Sequence, residues 1–247
     1  MLDQLQYRIL KKIAPGDPQT MEGSSYEGKS KVGVYLGEGL RELIRDKTVV
    51  DFGCGEGADS VDLARLGARK VIGIDIRQSV LDKAKAKAAA AGVEERCEFA
   101  TSTDTKADTI VSLDAFEHFG DPGAILEIMH GLLKPGGRVI ACFGPTWYHP
   151  LGGHLFSVFP WAHLVFSEAA LIRWRATIRP DGATKFSEVS GGLNQMTIAR
   201  FERLVAASKF ELEELETVPI RPLRRLHSGL TREFTTALVR ARLVAKH

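Results

Sequence analysis

From Asp51 to Gly57 the chain reads Asp51-Phe52-Gly53-Cys54-Gly55-Glu56-Gly57, and a second carboxylate, Asp75, closes an apolar run about 18 residues further on. Glycines at alternate positions let backbone pass close to a ligand where a Cβ would collide. A helix that starts after such a turn offers its N-terminus to the ligand, and an acid at the tip of the next strand can accept hydrogen bonds from two ribose hydroxyls. This spacing predicts a βαβ unit that binds an adenosine-type cofactor. Gly53-x-Gly55-x-x-Ala58 also satisfies the dinucleotide fingerprint. Asp51, placed ahead of the first glycine, favours a cationic ligand carrying an ammonium and a sulfonium, because a carboxylate repels a pyrophosphate.

A second chemical cluster lies downstream. Residues 145–166 hold two of the three tryptophans, Trp147 and Trp161, and three of the seven histidines, His149, His154 and His163. Histidine is the natural base near neutral pH, so His149 and His154 are candidates to take a proton from an acceptor hydroxyl. Two other readings stay open: the histidines anchor a lid by hydrogen bonds, or they join nearby acids around a divalent metal. Pro150 and Gly152-Gly153 interrupt any helical His-x4-His face, so no metal is expected. The stretch is too broken by Pro, Gly and His to span a bilayer. It reads as a lid over an apolar or aromatic acceptor, with Trp147, Tyr148 and His163 as acceptor contacts, or as a patch that meets a membrane or another subunit.

The elements that must hold these residues follow from apolar runs and breakers. Strands are expected at 48–52, 70–75, 96–100, 109–113 and 138–143. Helices are expected at 58–66, at 80–91 (ending on Gly92), and at 122–133 with Pro122 in the first turn. Strand and helix alternate, which predicts a parallel sheet with right-handed crossovers. The runs 211–218 and 233–244 lack a helix between them and read as a closing antiparallel hairpin. The expected organisation is one α/β domain: an N-terminal helical cap over 1–47 with a break at 15–18 and a Gly/Ser-rich stretch at 23–25, a cofactor-binding core over 48–146, a lid over 147–192, and a last helix with the hairpin over 193–247.

Four segments together resemble one family. Asp51-Phe-Gly-Cys-Gly-Glu-Gly57 resembles the Asp/Glu-x-Gly-x-Gly-x-Gly turn of class I S-adenosylmethionine methyltransferases. Asp108-Thr-Ile-Val-Ser-Leu-Asp114-Ala-Phe-Glu117-His118-Phe-Gly-Asp121-Pro122 resembles that family's fourth strand and following turn. Leu132-Leu-Lys-Pro135-Gly-Gly137-Arg-Val-Ile140 resembles its Pro-Gly-Gly turn and fifth strand, and residues 193–210 its last helix. The resemblance covers 45–145 and 193–247. It implies a Rossmann-like, doubly wound, mostly parallel sheet and S-adenosylmethionine as cofactor, released as S-adenosylhomocysteine.

The resemblance also implies roles. Gly53, Cys54, Gly55 and Gly57 give backbone to the cofactor, Asp51 lies within reach of its ammonium, Asp75 clasps the ribose and Ile76 packs on the adenine. An acid after strand three meets the adenine amino group; here Thr103 and Asp104 are the candidates, in a loop shorter than the family's. Asp114 faces the methyl group, and Glu117 and His118 follow as either catalytic or turn-stabilising residues.

Composition adds limits. A formal charge of +2 implies no nucleic-acid footprint. Cys54, Cys97 and Cys142 show no paired spacing and read as reduced thiols in a cytoplasmic protein. Charged residues come too early at the N-terminus for a signal peptide. The expected activity is methyl transfer to a small, apolar or aromatic acceptor, first at a hydroxyl oxygen, with nitrogen or carbon open. A cofactor-binding interaction protein without transfer and an NAD-dependent dehydrogenase are the other readings. The loop 219–232, with four arginines including Arg224, is either a solvated connection or a docking site for an anionic group at the pocket mouth.

Overall fold

Runs of Val, Ile and Leu bounded by turn residues build the sheet of the computed structural model, which describes residues 2–14, 31–35, 39–189 and 192–246. The expected break at 15–18 and the stretch at 23–25 lie outside these residues. β1 (Thr48–Phe52), β2 (Lys70–Ile74), β3 (Cys97–Ala100), β4 (Ala107–Leu113) and β5 (Leu133–Phe143) are parallel. With β6 (Phe210–Pro219) and β7 (Thr236–Ala245) they form one seven-stranded sheet of order β3-β2-β1-β4-β5-β7-β6. β7 is antiparallel to both neighbours, so β6 runs with the first five. This is the doubly wound, mostly parallel sheet that the strand-helix alternation predicts. The strand order reverses between β1 and β4, where a ligand crevice opens outside the carboxyl ends.

The helices are α1 (Leu2–Ile13), α2 (Val32–Tyr35), α3 (Leu40–Ile44), α4 (Ala58–Arg65), α5 (Gln78–Ala90), α6 (Pro122–Leu132), α7 (Ala162–Val165), α8 (Glu168–Ala176), α9 (Ile198–Ala207) and α10 (Arg232–Thr235). Along β1 and β4, neighbouring residues alternate between two cores. Val50, Phe52 and Ile110 pack with α6 and α9 through Met129 and Phe201, and Val49 and Val111 pack with α4 and α5 through Leu63 and Leu81. A third cluster, built on Leu10, Phe156, Leu171, Trp174 and Phe186, joins α1 to the segment after β5.

Several boundaries differ from expectation for local reasons. α5 begins at Gln78, two residues early, because the extended Arg77 already serves as its N-cap. β2 stops at Ile74 and leaves Asp75 in the turn. β5 begins at Leu133, which pairs with Ala107, and the Pro135-Gly-Gly turn is absorbed as an irregularity before Arg138 rejoins Thr109. The connection between β6 and β7 is not free of helix: a 3-10 turn at Arg221–Leu226 and α10 occupy it, so β7 starts at Thr236 rather than 233.

Candidate cofactor and acceptor site

The β1-to-α4 turn needs three left-handed backbones, with φ of 85° at Gly53, 51° at Gly55 and 73° at Gly57. Those conformations favour glycine. Two of the glycines also answer to packing. A Cβ on Gly57 would lie 2.7 Å from the Ala84 Cβ, so the glycine sets how closely α4 approaches α5, and one on Gly53 would lie 3.0 Å from the Ala115 Cβ.

Asp75 meets this turn from β2. Its Oδ2 accepts from the Gly55 amide at 3.1 Å, and Arg77 donates to it from its backbone amide at 2.9 Å and from its guanidinium at 3.1 Å. Burial works against the charge on Asp75, but the donors from Arg77 and Gly55 outweigh it and hold the carboxyl below its usual range. Arg77 was not foreseen from the sequence, although its position two residues past a strand-end acid is a usable signal.

A cavity of about 580 Å³ opens beside this pair. Phe52, Gly53, Ile74, Asp75, Ile76 and Arg77 form one side, Thr101, Ser102 and Thr103 the far end, and Asp114, Ala115, His118 and Phe119 the floor. Ile128 and Leu132 of α6, with Ser187 and Gly192, complete it. The Ile76 side chain is 90% exposed, an apolar surface left for a flat partner.

The cavity does not collect every expected residue. Asp104 is exposed and lies off the cavity, whereas Thr101 and Ser102 join Thr103 there. Cys54 is buried against the turn, and burial pushes its thiol well up. Asp51 is also buried away from the cavity wall: its Oδ2 accepts from the Ser60 hydroxyl of α4 at 2.5 Å. Burial, then the neighbouring Asp59 carboxylate, push Asp51 up to about 7.

β4 delivers the chemical centre. Asp114 has φ +47°, a strained conformation for a non-glycine residue, fixed by its amide donating to the Cys142 carbonyl at 2.8 Å. Its Oδ2 meets the Lys31 ammonium at 2.5 Å. Burial raises the Asp114 carboxyl even so, meaning that desolvation outweighs the pairing on the acid's side. Burial likewise opposes the charge on Lys31, yet Asp114, with Asp59 and Glu117 adding to it, raises the lysine. Glu117 is buried, accepts from the Gly144 amide at 3.3 Å through Oε1, and has no partner on Oε2 among the described residues. Burial and the nearby Asp114 push Glu117 up to about 8, which favours its neutral form near pH 7.

His118 turns into the cavity. Its Nδ1 lies 2.8 Å from the Gly192 carbonyl, which can only accept, so Nδ1 carries the proton and Nε2 a lone pair. Desolvation lowers its pKa from the usual 6.5 and favours the neutral ring. The 115–119 turn is clamped by Asn194, which sequence reasoning missed: its amide donates to the Glu117 carbonyl at 3.0 Å and its Nδ2 to the Phe116 and Phe119 carbonyls at 2.6 and 2.8 Å.

The histidines of the segment after β5 lie off the cavity lining. His154, at φ +51°, packs edge-on against His118 with centroids 5.3 Å apart. Its contact is to the Pro145 carbonyl, Nε2 is enclosed without a partner among the described residues, and burial pushes the ring down to about 4. His149 accepts from the Leu151 amide at Nδ1, which places its own proton on Nε2, and it does not line the cavity. His163 donates from Nε2 to the Trp147 carbonyl at 2.6 Å, while Trp147 packs on His163 and Phe186. Tyr148 stacks on Phe234 of α10 at 5.1 Å, which ties the β6–β7 connection to the segment after β5. Arg224 is exposed on the 3-10 turn of that connection and is not part of the cavity lining. Among the described residues, no group of three or more His, Cys, Asp or Glu could hold a metal ion.

Residues 44–145 match a methyltransferase-domain family. A ubiquinone biosynthesis O-methyltransferase of Coxiella burnetii is 30% identical over 176 residues, which is 68% of this chain and 73% of that protein. The chain belongs to the S-adenosylmethionine-dependent methyltransferases.

A ribosomal protein L11 methyltransferase of Vibrio cholerae is 40% identical over 94 residues, 38% of this chain, and the chain spans only about a third of that protein's length, 32%. The fold of this methyltransferase is similar to that of an S-adenosylmethionine dependent methyltransferase from Mesorhizobium loti, at TM-score 0.52 and 16% identity over 83% of this chain and 95% of that one. The dehydrogenase reading falls with the family match, since the same glycines belong to a methyltransferase turn.

The residues present fit the cofactor. Left-handed glycines remove Cβ atoms from the approach, Asp75 supplies a carboxylate at the cavity edge, and Ile76 with Thr101, Ser102 and Thr103 lines the end where an adenine would lie.

One stability prediction arises here. Glu117 is raised in the fold above its unfolded value of 4.5, so the stability it contributes is present below pH 4.5 and is lost as pH rises through about 8. Thermal melting between pH 5 and 8 is expected to show a falling midpoint in the wild type, levelling off above about 8, and a flatter profile in Glu117→Gln. Equal slopes would show that Glu117 is already ionised at pH 7.

Proposed function

We propose that this methyltransferase methylates a hydroxyl oxygen on a small, apolar or aromatic acceptor, with His118 as the base. The observation that carries the reading is the tautomer at the cavity floor: the His118 Nδ1–H donates to the Gly192 carbonyl, which leaves Nε2 as the acceptor nitrogen, beside Asp114. A neutral imidazole can take the proton of a hydroxyl as it becomes a nucleophile, and nearby Asp114 favours the imidazolium that results. When bound, S-adenosylmethionine supplies an electrophilic methyl group. The protein's part is to align the acceptor and exclude water, which Phe52, Phe119, Ile128 and Leu132 do by lining the cavity with apolar surface.

His154 supports rather than reacts in this reading, since its free nitrogen is enclosed behind His118. His163 and His149 hold the segment after β5 together. The named activity of the Coxiella relative, O-methyl transfer, agrees with an oxygen acceptor. The L11 relative aligns over 94 residues only, so it speaks less to the acceptor side.

The test is to incubate the purified protein with methyl-labelled S-adenosylmethionine and matched panels of phenols, catechols, primary amines and carbon acids. The expected product is a labelled methyl ether, formed faster as pH rises from 5 to 7. Labelling confined to amines or carbon would overturn the oxygen assignment. Cofactor binding without any product would favour an interaction protein.

A further inference from the structure

α1 turns an apolar stripe away from the protein. Leu2, Leu5, Ile9 and Ile13 recur at helical spacing on one face, and Leu2 and Leu5 are 65% and 56% exposed. The face that packs inward is a different one, formed by Tyr7, Leu10 and the polar Asp3 and Gln6. A helix that packs inward through Tyr7 and Leu10 and still presents a second row of leucine and isoleucine to solvent carries more apolar surface than its packing uses. The solvent edge of the stripe is basic: Arg8 and Lys12 stand beside it and Lys11 follows round the helix, against the single acid Asp3.

The stripe continues onto the segment after β5. Ser167 donates its amide to Gln6 at 2.9 Å and its hydroxyl to Asp3 at 2.6 Å, which seats the first turn of α1 next to Leu164 and Val165, the latter 61% exposed. Trp161 of the same segment donates from its indole to the Tyr148 carbonyl at 2.9 Å, and Tyr148 stacks on Phe234. On the β6–β7 connection that carries Phe234, Leu230 is 97% exposed and Arg221, Arg224 and Arg225 are exposed as well. Apolar side chains of α1 and of the segment after β5 are thus brought together at Ser167, with the cations of α1 beside them.

We propose that α1 and this adjoining surface dock the protein on an anionic lipid bilayer, with the apolar stripe sunk to the level of the acyl boundary and the cations on the headgroups. An interfacial helix needs an apolar face, a basic polar edge and no capacity to span, and α1 has the first two in only 12 residues. Among the described residues no helix is long and apolar enough to cross a membrane, so the attachment is peripheral. The charge favours lipid over a second copy of this chain. In a symmetric dimer the basic edge of one stripe would face its own kind, whereas an anionic headgroup layer attracts each lysine or arginine.

The experiment is co-sedimentation of the full chain with vesicles of phosphatidylglycerol and phosphatidylcholine, and with phosphatidylcholine alone, at low and high salt. Wild type is expected on the anionic vesicles at low salt, with at least about tenfold weaker partition on neutral vesicles or in high salt. Leu5→Glu with Ile9→Glu should release it from both, and Arg8→Glu with Lys12→Glu should abolish the preference for anionic lipid. Both pairs are exposed, so S-adenosylmethionine affinity and melting temperature are expected to stay unchanged, which separates loss of docking from loss of fold. Failure of wild type to sediment with anionic vesicles, equal sedimentation of the Glu variants, or a dimer in ultracentrifugation that Ile9→Glu dissolves would each overturn the proposal.

Discussion

Asp75→Ala is expected to bind S-adenosylmethionine at least about a hundredfold more weakly, because two ribose hydrogen bonds to a charged acceptor are each worth about 1.5–3 kcal/mol. The structure adds a second cause. Asp75 also receives the Gly55 amide and three donors from Arg77, so its loss leaves the glycine turn without an anchor and the guanidinium without a partner. Asp75→Asn keeps an oxygen acceptor for the Gly55 amide but not the charge, and should fall between wild type and alanine. Titration calorimetry on the three chains, with melting curves alongside, distinguishes the causes. Wild-type affinity in the alanine variant would remove Asp75 from the ribose, and a weakened asparagine variant with an unchanged melt would assign the effect to the ligand.

The second large effect is expected at His118. Its removal as alanine should lower kcat by about 10²–10⁴-fold, the range for a positioned general base, while cofactor affinity changes little. The pH profile sharpens the test. Burial lowers the His118 pKa below 6.5, so the base form persists to lower pH than in a free histidine, and the rate should fall only as pH drops below that value. Rescue of the alanine variant at high pH, on an acceptor acidic enough to ionise unaided, would support proton removal as the lost function. His154→Ala is the control. It withdraws the ring that packs on His118 and should reduce kcat less than removal of His118 itself, with KM rising if the floor loosens. A larger loss at His154 than at His118 would transfer the base to His154.

How far the residues announced these outcomes depends on the distance over which each one acts. Gly53, Gly55 and Gly57 with Asp75 were legible because a βαβ unit is local: backbone sterics and strand length place the acid at the turn whatever surrounds it. The parallel run of β1 to β5 and the antiparallel close were legible too, since strands joined by helices cross over right-handedly, whereas the strand order came only with the fold. Asp51 was a misleading signal in one respect. Its spacing is that of the family's turn, but strand alternation points its side chain at Ser60 inside the protein rather than into the cavity.

Tertiary structure alone decided the histidines. Four of them looked equivalent in type, and the folded contacts sort them: Gly192 sets the tautomer of His118, the Pro145 carbonyl and burial shut His154 in, Leu151 sets His149 and Trp147 holds His163. Proton placement follows from which carbonyl or amide lies within hydrogen-bond reach, and those partners come from loops up to 74 residues away. Asn194 and Lys31 escaped notice for the same reason, because an asparagine clamp and a lone lysine carry no pattern until the fold brings carbonyls and carboxylates to them. The outward stripe of α1 is the clearest case. Its periodicity is written in the residues, but the face that turns inward was decided by Leu10 and Tyr7 packing on α8 and by Gln6 and Asp3 meeting Ser167, more than 160 residues along the chain.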